Sequence, residues 1–183
     1  LHFKNNFKNL IMLTFGTGIG GGIIYNSEIF KGSGNAGEIG RILIDEKSYL
    51  EDVISAKAWT KKCQELYEIN KETKLSSIFF EEKVGSLLFD QSIDLEDYEK
   101  LVRDEIIQST SNALISLFEL FDNDVFVIGG SMTQSPYDFL TLIDDYISKN
   151  FEFPSRNFPE IKLSKAREDS GMLGAALLAL NSE

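Results

Sequence analysis

The stretch richest in residues that could do chemistry is Leu10 to Arg41, LIMLTFGTGIGGGIIYNSEIFKGSGNAGEIGR. Nine of the 14 glycines fall between Gly16 and Gly40, and five of them sit in the seven residues from Gly16 to Gly22. Backbone without side chains can take φ > 0 and come close to a ligand. Successive free N–H groups in such a turn make a concavity that suits a phosphate. The candidates for that contact are Gly16, Thr17, Gly18 and Gly20, with the Thr17 hydroxyl as a further donor. Farther along, Gly129, Gly130 and Ser131 close an apolar run, Val125-Phe126-Val127-Ile128. Ligands of open α/β sheets collect at such strand ends, so a flat base could lie there against bare backbone; equally, a strand could simply turn into a helix. Gly171 and Gly174 could line the same pocket. Glu38 and Glu51 offer carboxylates, each able to accept hydrogen bonds from two hydroxyls of a sugar edge, although Glu51 could equally be a solvated first-turn glutamate.

Several readings of the glycine cluster compete. Gly16, Gly18 and Gly21 fit the dinucleotide pattern GxGxxG, with Glu38 at a suitable distance. That pattern must open a helix, whereas Ile23-Ile24-Tyr25, Asn26-Ser27 and Glu28-Ile29-Phe30 read as a β-hairpin around a two-residue turn. A P-loop needs Gly-Lys-Ser/Thr, which does not follow. The remaining readings are strand, glycine turn, strand with phosphate in the turn, and a hairpin that binds nothing. A tight hairpin by itself needs only one or two glycines.

The segment LTFGTGIGGGIIYNSEIFKGSGNAGEIGR resembles the ROK family (repressors, open reading frames and sugar kinases), in its second phosphate motif and the sugar-binding Gly-Glu-x-Gly that follows. Tyr49-Leu50-Glu51-Asp52 with Ser55-Ala56 resembles that family's leucine-glutamate segment. Val127-Ile128-Gly129-Gly130-Ser131 resembles its adenosine motif, and Gly171-Met172-Leu173-Gly174-Ala175-Ala176 its C-terminal helix. The resemblance implies an RNase H-like, actin-like ATPase lobe, an α/β mixed sheet flanked by helices. It implies ATP with Mg2+ as phosphate donor, a hexose or amino sugar as acceptor, and a homodimer. It places the ATP phosphates on Gly16, Thr17, Gly18 and Gly20, the nucleoside on Gly129, Gly130 and Ser131, and the sugar on Asn35, Glu38 and Glu51.

Two departures from the family bear on function. Its pattern continues Gly-Glu-x-Gly-His and then a zinc-binding cysteine cluster. Here Arg41 stands at the His position, and Arg cannot ligate zinc. A single cysteine, Cys63, cannot make a three-thiolate site, so no zinc is expected. Arg41 at this position suits an anionic or altered sugar, or pairs with a nearby carboxylate. The second departure concerns the general base, which must take the sugar hydroxyl proton as that oxygen attacks the γ-phosphate. The family draws it from an N-terminal lobe. The first aspartate here is Asp45, beyond the glycine cluster, and His2 is the only histidine. The expectation is therefore a C-terminal lobe, residues 1–183 as one domain with a helical insert at about 49–122, inactive alone. The alternative is the sugar-sensing domain of a ROK-type repressor.

Composition limits the partners. Against 18 Lys and Arg stand 29 Asp and Glu, a net charge of −11, which disfavours nucleic acid and anionic membrane as partners of this chain. No apolar run approaches the roughly 18 residues of a membrane span. The lone cysteine suits a reducing compartment, and a cytoplasmic protein is expected.

The elements that must position these groups follow from hydrophobic pattern. Leu10–Phe15 and Ile23–Phe30 read as strands, and Arg41–Ile44 as a short third one. One helix should start near Asp52 and run through Trp59; short helical pieces are expected at Ser76–Phe80 and Lys83–Phe89. The clearest helix runs from about Leu95 to Phe121, with Asp94 as its N-cap. Val125–Ile128, continuously apolar, reads as a strand buried on both faces. Ser135-Pro136 should open a helix with Tyr137, Leu140, Ile143 and Ile147 on one face, Ile161–Ser164 a last strand, and Ser170 a last helix.

Overall fold

The computed structural model describes residues 7–69, 88–89, 94–95, 97–130 and 139–164. The elements expected at Ser76–Phe80, most of Lys83–Phe89, Ser135–Tyr137 and from Ser170 onward lie outside these residues, as do Ser131, Gly171 and Gly174.

Five strands form one mixed sheet: β1 (Leu10–Phe15), β2 (Ile19–Tyr25), β3 (Glu28–Ile29), β4 (Val125–Gly129) and β5 (Glu160–Leu163). Their spatial order is β3-β2-β1-β4-β5. The first three make an antiparallel meander, and β1, β4 and β5 run parallel. In the parallel register Thr14 faces Gly129, so the carboxyl ends of β1 and β4 lie side by side. The β2–β3 turn is Asn26-Ser27, both at positive φ (52° and 66°), as a two-residue hairpin turn with right-handed strands requires.

Strand alternation divides the core. Ile11, Leu13 and Phe15 of β1, Ile19 and Ile23 of β2, and Phe126 and Ile128 of β4 face the main cluster. Leu10, Val125 and Val127 face a smaller cluster on the opposite side, with Met12 and Ile24 against it. Every residue of β4 is buried, which explains its unbroken apolar sequence. The helices α1 (Glu51–Ile54), α2 (Ala56–Ile69), α3 (Asp97–Phe121) and α4 (Phe139–Asn150) send their apolar stripes into the main cluster. Those stripes include Val53, Ile54, Trp59, Cys63, Val102, Ile106, Leu114, Leu117, Phe118, Ile143 and Ile147.

Four expected boundaries are corrected. β2 starts at Ile19, not Ile23, so Gly20, Gly21 and Gly22 lie in a strand. Residues 41–44 make no strand: Ile39–Arg41 is a single 3₁₀ turn, followed by one isolated bridge between Leu43 and Tyr49. The helix expected to run from Asp52 through Trp59 breaks at Ser55, whose extended backbone (ψ 157°) separates α1 from α2. Ser55 caps α2 instead, its Oγ accepting the Ala58 N–H at 3.2 Å. The long helix starts at Asp97 rather than Leu95.

Candidate functional site

The turn between β1 and β2 is Gly16-Thr17-Gly18. It closes on itself: the Gly16 N–H donates to the Gly18 carbonyl at 3.0 Å. The Gly16 carbonyl in turn accepts the N–H of Ala56, the first residue of α2, at 2.9 Å. Gly16 is thus engaged at both backbone groups and shapes the turn. The backbone donors left for a ligand are those of Thr17 and Gly18, with the exposed Thr17 side chain. Under the turn, Phe15 packs edge-on against Phe139 (5.3 Å between centroids) and is tilted against Trp59 (6.5 Å), an aromatic floor that fixes its base.

The glycines do different work from the one expected. None from Gly16 to Gly22 has positive φ; Gly32, Gly34, Gly37 and Gly130 do. Gly20 pairs with Thr14 inside the sheet, away from the turn, and a Cβ on it would stand 2.6 Å from the Thr14 hydroxyl. Gly21 is bare because the Gly37 carbonyl lies against it and Ile39 Cδ1 would be 2.7 Å from a Cβ there. A Cβ on Gly40 would be 2.5 Å from the Ile19 carbonyl oxygen. The segment from Gly37 to Gly40 therefore lies flush on β2, and the contact of Gly40 with Ile19, which pairs with Phe15, brings Arg41 toward the carboxyl end of β1 while Glu38 lies along β2.

Gly130 follows β4 with φ of 99°. A Cβ on it would run into the Phe15 carbonyl oxygen and stand 2.7 Å from the Phe15 nitrogen. Gly129 is buried, whereas Gly130 is partly open. The candidate nucleoside strip thus touches the residue that leads into the candidate phosphate turn.

Glu51 is the first residue of α1, and its Oε2 lies 3.0 Å from where a Gly18 Cβ would be. The neighbouring Asp52 turns the other way and accepts the Tyr49 N–H at 2.9 Å. Arg41 is exposed, with its guanidinium carbon 4.2 Å from the centroid of the Tyr49 ring. The loop from 42 to 50 closes through Ile44 N–H to Ser48 O (3.0 Å) and Leu50 N–H to Ile42 O (2.8 Å). Within it, Asp45 Oδ1 accepts the N–H groups of Lys47 and Ser48, both at 2.8 Å. Those two backbone bonds, Lys47 first, hold the Asp45 carboxyl below the ordinary range. Among the described residues no group of three or more His, Cys, Asp and Glu could hold a metal ion.

The structure therefore brings Gly16, Thr17, Gly18, Gly129, Gly130 and Glu51 to the carboxyl ends of β1 and β4, with Glu38 and Arg41 beside them on β2. Asn35 is exposed in the 32–37 turn, with no hydrogen bond to any of them among the described residues. Sequence reasoning missed Tyr49 as the partner of Arg41. Their contact spans a loop that carries no periodic signal, and only a pairing of Arg with a nearby aromatic could have suggested it.

The ROK family model matches residues 2–182. A glucokinase of Thermotoga maritima is 24% identical over 184 residues, covering 92% of this chain and 57% of its own length. A xylose repressor of Staphylococcus xylosus is 42% identical over 71 residues, covering 34% of this chain and 18% of its own. The chain thus spans little more than half the length of the glucokinase it matches. The crystal structure of a ROK family glucokinase from Streptomyces griseus in complex with glucose and AMPPNP superposes with a TM-score of 0.79 at 22% identity, over 94% of this chain and 61% of that one.

Proposed function

The chain belongs to the ROK family, and from that footing we propose that it is the nucleotide- and sugar-binding lobe of an ATP-dependent sugar kinase. The observation that carries this reading is the meeting of Gly18 and Glu51, with Gly130 packed on Phe15 where β1 enters the same turn. A turn with free N–H donors, a bare strand end and a hydroxyl-accepting carboxylate share one edge of the sheet.

In this reading the ATP phosphates lie on Thr17 and Gly18, and the nucleoside lies along Gly129 and Gly130. The turn fits a phosphate in that the Thr17 and Gly18 N–H groups are unengaged; besides the Thr17 side chain, the Glu51 carboxylate also reaches it, at Gly18. Phosphoryl transfer is mainly positioning and charge stabilisation, so preset backbone donors contribute without reorganisation. Bound magnesium would neutralise charge on the β- and γ-phosphates. Glu51 and Glu38 accept hydroxyls of a hexose or amino sugar and orient it. Because Glu51 reaches Gly18, the sugar and the phosphate tail would meet at that carboxylate.

The proton of the attacking hydroxyl needs a base, and among the described residues gathered at the strand ends the only carboxylates are Glu38 and Glu51, which in this reading hold the sugar. We therefore expect the 183-residue chain to lack sugar-dependent ATP turnover, the base coming from outside it. A homodimer is the assembly the family resemblance implies. Exposed Tyr25, Ile29 and Leu120, with Phe30 packed on Phe121 at 6.4 Å, leave apolar surface for it.

The second reading is a sugar-sensing domain, favoured by the 42% identity to the xylose repressor over 71 residues. The two differ in nucleotide binding. A ligand that binds only the folded state raises the melting temperature. A thermal-shift panel of hexoses and amino sugars, with and without Mg-AMPPNP, separates them. The kinase reading expects stabilisation by the nucleotide; stabilisation by sugar alone, with no response to nucleotide, supports the sensor.

A further inference from the structure

The chain has an excess of acid, with 29 Asp and Glu against 18 Lys and Arg, so its arginines have ample partners. Arg103 holds Asp104 at 3.0 Å, and Arg156 holds Glu119 and Asp122, each at 2.6 Å. Arg41 differs: among the described residues no carboxylate lies within ion-pair distance of it. It is nonetheless held in place, because the Tyr49 ring lies 4.2 Å from its guanidinium carbon and Tyr49 is tied to Asp52. A ring that covers one face of a guanidinium leaves the in-plane N–H groups free at its edges.

Its address matters as much as its freedom. Gly40 is pressed on Ile19, the residue directly after the glycine turn, so Arg41 starts from the rim of the site. The Arg41 N–H donates to the Glu38 carbonyl at 3.0 Å, which ties the two candidate sugar residues into one turn. Tyr49, on which Arg41 rests, is two residues before Glu51, whose carboxylate reaches Gly18. Two carboxylates that suit hydroxyls are therefore accompanied by one fixed, unneutralised guanidinium fork. Such a fork matches a carboxylate or a phosphate with two parallel hydrogen bonds and gains little from a neutral hydroxyl.

We infer that the sugar taken at this site bears an anionic group, a carboxylate or a phosphate ester, and that Arg41 is the residue that reads it. This rests on the sugar-kinase reading of the same site and names its substrate class. It makes Arg41 a specificity residue rather than a fastener of the loop from 42 to 50.

The test is isothermal titration of the wild-type chain and of Arg41→Ala and Arg41→Lys at low ionic strength, where exposed charges are least screened. The probes are D-glucose, D-glucuronate, D-glucose 6-phosphate and Mg-AMPPNP. Wild type should bind one of the two anionic sugars about tenfold more tightly than glucose, the scale of one charge-assisted pair. Arg41→Ala should bring that ratio to about one, and Arg41→Lys, which keeps charge but not the fork, should fall between. Equal affinity of wild type for neutral and anionic sugars overturns the inference. A loss in Arg41→Ala confined to AMPPNP also overturns it, because the cation then serves the nucleotide. So does an equal loss for all sugars with a lower melting temperature, the mark of a loop fastener. Failure of wild type to bind any of the sugars removes the sugar site itself, and the inference with it.

Discussion

The carboxylate of Glu51 and the bare α-carbon of Gly18 share one space: Oε2 is 3.0 Å from the position a Gly18 Cβ would take. The same turn is fastened to the start of α2 through Ala56 and Gly16. Turn, carboxylate and helix start thus form a unit, so a change at Gly18 acts on Glu51 before it acts on the fold. Gly18→Ala meets only the far end of a flexible side chain. It should alter stability within about 0.5 kcal/mol, as surface changes do. It should nevertheless displace the carboxylate and reduce the thermal shift given by a bound sugar. Thermal melts of wild type and variant with and without sugar check this; a large loss of intrinsic stability would mean that the turn is packed more tightly than described.

Gly130→Ala is the contrasting case. Its φ of 99° disfavours any side chain, and a Cβ would collide with the Phe15 backbone, which cannot move without breaking β1. The substitution should destabilise by roughly 2–4 kcal/mol, read as a lower urea midpoint at unchanged slope.

Much of this fold can be read from residue types, and the reasons are local. β1 and β4 announce themselves by apolar runs, and the Asn26-Ser27 turn by its residue pair. The glycine cluster misleads because glycine carries no hydrophobic pattern. Nothing in Gly20-Gly21-Gly22 says whether it bends around a phosphate or runs straight as a strand under Gly37. The break at Ser55 is a cap that helix periodicity does not register. The place of Glu51 depends on Ala56 docking against Gly16, a tertiary contact with no signature along the chain. The candidate site was thus legible as a list of residues, and its arrangement was not.

Arg156 locks the loop from 151 to 159 to the end of α3. It holds Glu119 and Asp122 at 2.6 Å each and lies 4.1 Å from the Phe118 ring centroid, while Phe153 and Phe158 pack on the same ring. Both carboxylates are more than half exposed, so solvent screens the pairs. Arg156→Ala should cost about 1–2 kcal/mol, and the loss should shrink only partly at high salt because the ring contact is less screened than the pairs. Denaturant titration at two salt concentrations measures both parts.

Cys63 gives a pH dependence with a definite sign. Burial first, and then the Glu99 charge, push its thiol up to about 12 from an ordinary 9.0. Between those values the unfolded chain gives up the proton and the native chain keeps it. Fewer protons are then bound in the unfolded state, so stability falls as pH rises from about 9, by up to about 1.4 kcal/mol per pH unit. Below that the thiol contributes no slope. Stability curves of wild type and Cys63→Ala from pH 8 to 11 (on the order of the window set by the shift) should diverge only at the alkaline end; parallel curves would show that the thiol is not buried as described.

The most direct measurement is a ¹⁵N NMR titration of the chain with Mg-AMPPNP, following backbone amides. If the β1–β2 turn and the end of β4 hold the nucleotide, the amides of Thr17, Gly18, Gly129 and Gly130 shift saturably and together, and those of Gly20 to Gly22, paired within the sheet, move much less. Saturable shifts confined to other surfaces, or none at the turn at nucleotide concentrations that saturate ROK family kinases, would contradict the account.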